Sequence, residues 1–95
     1  MSVDPSLYDA LSRYIGLLSE GLRMINRSEE RGLYTQHLAD AAVMFHALRE
    51  GDTIGLREQL QECERTFGTS FLADNQGDLV EKAFRDFGQR VIRSR

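Results

Sequence analysis

An all-α domain, a small four-helix bundle, is the fold class this 95-residue sequence predicts, and three observations carry the prediction. Leu, Ala, Arg, Glu and Gln dominate, Val and Ile are few, and there is one proline, so the summed helix propensity is favourable. Apolar residues recur at steps of three and four in four separate stretches, the spacing that builds one face of a helix. Between those stretches stand capping and stop residues: Asn26-Arg27-Ser28, Gly51-Asp52 and the run from Gly68 to Asp78.

The first helix is expected to begin at Asp4-Pro5. Asp4 can accept hydrogen bonds from the first free amides, and Pro5 suits the first helical position, where no donor is needed. Leu7, Leu11, Tyr14, Leu18, Leu22 and Ile25 then form its main stripe, widened by Tyr8 and Ile15. Ala10, Leu17 and Met24 make a second apolar line on the other side, so the arc spans roughly 200°. A face that broad belongs to a helix that is central in its domain, or that meets a second subunit as well as its own core. Gly21 lies at the stripe's edge, where a missing side chain permits a close crossing; the alternative is that Gly16 and Gly21 are simply tolerated, at roughly 1 kcal/mol each.

The first boundary falls between Asn26 and Gly32. Ser28 is a suitable cap, and Glu29 and Glu30 would then sit at the positive end of the second helix, although the first helix could instead run on to Arg31. The second helix continues to Glu50. Its centre, Leu33–Leu48, places Leu33, Tyr34, Leu38, Ala41, Met44, Phe45 and Leu48 on one arc, with His37 projecting between Met44 and Leu48. Gly51-Asp52 then combines a stop with the next cap, and so short a joint implies an antiparallel hairpin between the second and third helices. The third helix, about Thr53–Phe67, carries only a narrow stripe of Leu56, Leu60, Cys63 and Phe67, about 60° wide, and is expected to lie peripherally. Gly68 is expected to end it, with Thr69–Gly77 a loop from which Phe71 and Leu72 cover one end of the core. The fourth helix is expected to start at the acidic capping sequence Asp78-Leu79-Val80-Glu81 and to bury Val80, Ala83, Phe84, Phe87 and Val91.

Composition narrows the function classes. Residues 1–95 read as a single domain, large enough for a modest core built on the first, second and fourth helices. No apolar run approaches the roughly eighteen residues of a membrane span, Met1–Leu7 lacks a basic signal-peptide region, and one cysteine excludes an internal disulfide. The expectation is a cytoplasmic protein with no membrane association. The net charge of −3 divides unevenly: residues 1–76 carry −5 and residues 77–95 carry +2. Arginine outnumbers lysine eleven to one. That ratio reflects nucleotide composition as readily as phosphate recognition.

The residues able to carry chemistry lack the companions chemistry needs. His37, inside an apolar stripe, must be neutral and hydrogen-bonded, paired, or bound to a ligand, because an unsatisfied buried imidazole costs a few kcal/mol. A metal or haem site would need further ligands, and no Glu-x-x-His or His-x-x-x-His pair exists; His46 projects to the opposite side of the helix. No metal or cofactor is therefore expected. A phosphotransfer histidine needs an exposed site with lysine and small neighbours, which neither histidine has. Cys63, between Glu62 and Glu64, reads as a small buried hydrophobe, since those carboxylates raise a thiol pKa. No nucleophile elbow, phosphate loop or zinc spacing occurs, so no catalytic residue is expected and the chain reads as non-enzymatic.

Two binding readings remain. The first is a protein-interaction module of a prokaryotic or phage type, an adaptor, small chaperone or regulatory protein, acting through helix–helix contacts with a protein partner or with itself as a homodimer. Its interface residues would be the apolar groups that leave their helices' main stripes: Leu17, Met24, Val43, Ile54 and Ile92. The second is a nucleic-acid-associated regulator using Arg85, Arg90, Arg93 and Arg95 of the basic C-terminal helix. It is disfavoured: no aromatic platform is interleaved with those arginines, and cations at a helix C-terminus are already explained by the macrodipole. A helix-turn-helix reading fails on charge, because Asp52–Phe67 as recognition helix would carry −2 towards phosphate.

Overall fold

The computed structural model describes residues 5–24, 28–69 and 75–93, all but the two residues of one turn in four helices: α1 Pro5–Met24, α2 Ser28–Glu50, α3 Thr53–Thr69 and α4 Asn75–Arg93. The principal extents are 42 × 21 × 18 Å. Helices α2 and α3 laid end to end would span about 60 Å at 1.5 Å per residue, so consecutive helices must fold back on one another. The hydroxyl of Tyr8, early in α1, donates to the carbonyl of Leu48, late in α2, at 3.4 Å, which fixes that pair as antiparallel. In cross-section the helices form a ring: α1 lies between α2 and α4, and α3 lies between α2 and α4. Among the described residues the α3–α4 seam is the thinnest of the four.

The buried residues explain the ring. Those of α2 are Tyr34, His37, Ala41, Met44, Ala47 and Leu48; those of α4 are Val80, Ala83, Phe84, Phe87, Gly88 and Val91. Leu7, Leu11, Tyr14, Leu18 and Gly21 line α1, and Leu56, Leu60 and Cys63 line α3. Each set contains the alternating three–four spacing that keeps a seam facing its neighbours in near-parallel or antiparallel bundles. The broad arc of α1 is used within the chain, because two helices flank it. Ala10 is buried, while Leu17, Tyr8, Ile15 and Leu22 pack half-buried against the core. Leu17 is thus a packing residue in this fold; only Met24 of its line stands outside.

The α2–α3 joint follows the expected chemistry in detail. Gly51 has φ +71°, the left-handed conformation that glycine adopts without a Cβ penalty. Its N–H donates to Leu48 at 3.2 Å and that of Asp52 to Ala47 at 2.9 Å, the paired bonds of a Schellman ending. The Asp52 carboxylate then accepts from the N–H of Gly55 at 2.9 Å and caps α3. At the other joint, Arg31 of α2 donates to the carbonyl of Leu22 at 2.7 Å, satisfying one of the acceptors that the end of α1 leaves open.

Two boundaries differ from those read in the sequence. Helix α3 runs through Gly68 to Thr69, since glycine keeps the backbone donor a helix needs and only weakens the last turn. Helix α4 begins at Asn75, three residues before Asp78, with Gly77 in a first turn whose amides need no intrahelical partner. Asp78 therefore lies inside the helix. Pro5 opens α1 and Ser28 opens α2, which places the first boundary upstream of Gly32. Asp4, Ile25, Asn26, Arg27, Phe71, Leu72, Arg95 and the side chain of Phe67 lie outside the described residues.

Candidate functional site

The interior carries one polar corner, at the meeting of α1, α2 and α3. The hydroxyls of Tyr14 and Tyr34 and Nδ1 of His37 are all shut off from solvent there, and His37 is 0% exposed. Tyr34 and His37 share a face of α2 because they are three residues apart. Asp40, one turn further on and half-buried, accepts from Gln36 at 3.4 Å and, across the interface, from Gln59 of α3 at 3.3 Å. Tyr14 packs its ring against Phe84 of α4, with centroids 5.5 Å apart, so this corner is tied to the fourth helix as well.

Electrostatics in the corner follow from burial. Loss of water lowers the basicity of His37, with the negative charge of Asp40 opposing that shift. Burial pushes the Cys63 thiol up to about 12; Asp40 adds to the rise, a hydrogen bond with Gln59 opposes it, and Glu62 and Glu64 contribute least. Tyr14 is pushed upward by burial first, then by Cys63 and Asp40. Cys63 is therefore a protonated, buried thiol, the opposite of an activated nucleophile. Among the described residues no group of three or more His, Cys, Asp and Glu side chains is arranged to hold a metal ion. His46 is exposed, as its position on α2 requires.

The outer surface supplies the other candidate. Met24, Val43, Ile54, Leu79 and Ile92 are large apolar residues standing 50–72% exposed. Four were read from the sequence. Leu79 was missed because Asp78-Leu79 was assigned to a capping segment, which concealed its position on the outer face of α4. The helix directions place Met24 and Leu79 towards one end of the molecule and Ile54 and Ile92 towards the other, with Val43 on the body of α2.

Two of the C-terminal arginines are engaged with their own helix. Arg85 pairs with Glu81 at 3.5 Å and Arg90 with Asp86 at 3.1 Å, both one turn apart on the surface of α4. Exposed pairs of this kind contribute little stability, but they interleave carboxylates with the cations a phosphate backbone would have to meet. No protein-family model, curated protein or solved structure matches this chain.

Proposed function

We propose that this chain is a non-enzymatic protein-interaction module, an adaptor, small chaperone or regulatory protein, that works through helix–helix contacts and takes a second copy of itself as a partner. The observation that supports the reading is the set of outward apolar side chains, Met24, Val43, Ile54, Leu79 and Ile92, on a bundle whose core is already closed without them. Isolated exposed apolar residues are ordinary on protein surfaces; here every helix presents at least one. Apolar groups on rigid helical faces are the anchors that helix-on-helix association uses.

Sedimentation equilibrium from micromolar to near-millimolar protein tests the proposal. The wild type is expected to show a concentration-dependent dimer, and one of two paired substitutions, Met24→Asp with Leu79→Asp or Ile54→Asp with Ile92→Asp, is expected to abolish it while leaving the helical circular dichroism intact. A strict monomer throughout, or a dimer indifferent to both pairs, would overturn the self-association. A titration with duplex DNA at low ionic strength separates the nucleic-acid reading, for which Arg85 and Arg90 would have to exchange their carboxylate partners for phosphate.

A further inference from the structure

The polar corner has a property that the outer surface does not share. His37 sits in the interior of α2, and the helices packed against α2 are α1 and α3. The titratable groups those elements bring to the corner are Tyr14 from α1 and Cys63 from α3, and α2 itself adds Tyr34 and Asp40. Among the described residues, those that α4 buries are apolar. Asp40 is the charge that acts on Tyr14, His37 and Cys63 alike, and it meets α3 through the Gln59 hydrogen bond.

We propose that this corner is a proton-operated latch: a proton on His37 places a cation beside Asp40, the carboxylate turns from Gln59 to answer it, and α3 loosens while α1, α2 and α4 stay together. Two features of the fold single out α3. Among the described residues its buried stripe is the narrowest, Leu56, Leu60 and Cys63, and its seam with α4 is thin. At that seam Leu60 faces Gly88, which offers no side chain to grip. By contrast α1 is held on both flanks, with the Tyr14–Phe84 and Tyr8–Phe45 ring contacts joining it to α4 and α2.

The sign of the pH effect is fixed by burial. The closed state lowers the affinity of His37 for a proton relative to an open state near the ordinary value of 6.5. The latch is therefore fully closed above that value and weakens as pH falls below it, until the buried imidazole itself is protonated.

Cys63 is the only thiol in the sequence and lies buried on the inner side of α3, so its reaction rate reports opening of that helix. The experiment follows labelling by a dithiodipyridine, which reacts in mild acid, from about pH 7.5 to 5, with each rate divided by that of glutathione at the same pH. A relative rise of about tenfold per unit of His37 shift is expected, with amide exchange accelerating in α3 but not in α1 or α4. His37→Gln should flatten the profile, and exposed His46→Gln should leave it unchanged. A pH-independent ratio in the wild type, an equal rise in His37→Gln, or exchange accelerating in α1 and α4 together with α3 would overturn the latch. Should His37→Gln fail to fold, the wild-type His37 ring resonance decides: its titration must coincide with the onset of α3 exchange, and a mismatch rejects the proposal.

Discussion

Replacing Gly88 by alanine is the most direct test of how closely α3 and α4 meet. A Cβ built at Gly88 would lie 3.6 Å from Cδ1 and 3.8 Å from Cδ2 of Leu60, ordinary van der Waals contact, so the methyl fits without displacing its neighbour. Alanine in a helix interior is favoured over glycine by about 1 kcal/mol. A newly buried methyl adds up to about 0.8 kcal/mol more. Gly16→Ala supplies the control, because nothing lies within 4 Å of the Cβ it would carry and only the propensity gain applies. Both variants should therefore be more stable than the wild type, Gly88→Ala by the larger margin. For a domain of this size each kcal/mol raises the melting midpoint by about 4–8 °C. Urea unfolding followed by circular dichroism measures the two values, with an unchanged slope as the condition for comparing midpoints. If Gly88→Ala is destabilising while Gly16→Ala stabilises, Leu60 cannot yield and α3 packs on α4 more tightly than a 3.6 Å contact implies. A loosely held third helix would then be excluded.

Two further measurements probe the hairpin joint and the polar corner. At Gly55 the same substitution should lose its benefit, because the new Cβ runs into the Asp52 carboxylate that caps the Gly55 amide; the helix-propensity gain of about 1 kcal/mol and a cap loss of similar size leave Gly55→Ala near neutral. In an Asp52→Ala background the gain should return, so a strictly additive double-mutant cycle would reject the cap geometry. At alkaline pH the raised pKa values of Cys63 and Tyr14 mean that the unfolded chain gives up protons first. Stability should be constant from above the ordinary imidazole value of 6.5 up to about 9, the ordinary thiol value, and fall as pH rises towards about 12 for Cys63, with Tyr14 deepening the loss above its ordinary 10.0. Cys63→Ala should delay that decline to the tyrosine range, and a decline starting at the same pH in variant and wild type would show that the thiol is not the group responsible.

The elements that were legible in the sequence are those written in local chemistry. Gly51 and Asp52 specify their turn through a positive φ and a carboxylate cap, both properties of single residues, and the joint is built as read. The inward stripes of α2 and α4 were equally legible, because a spacing of three and four leaves little choice of face. The start of α4 was not, since Asp78 makes an acceptable cap in isolation and only the longer helix shows that Asn75 precedes it. The breadth of the apolar arc on α1 was visible, but not its cause. A sequence cannot distinguish a second neighbour within the fold from a second subunit, and Leu17 packs half-buried against the core of its own fold.

His37 shows the same limit at the level of chemistry. Its place in the stripe predicts burial, and burial alone depresses its basicity. What periodicity cannot supply is which groups the other helices bring to it, because Tyr14, Gln59 and Cys63 are far from it along the chain. Asp40 lies only three residues away, yet its role depends on Gln59 reaching it from α3. A polar residue at an inward position limits a bundle to registers that can accommodate it, at some cost in stability. Here that residue is also a base, and the cost of its burial rises with every proton offered to it. The same side chain that helps to fix how α2 and α3 meet thereby makes the meeting depend on pH.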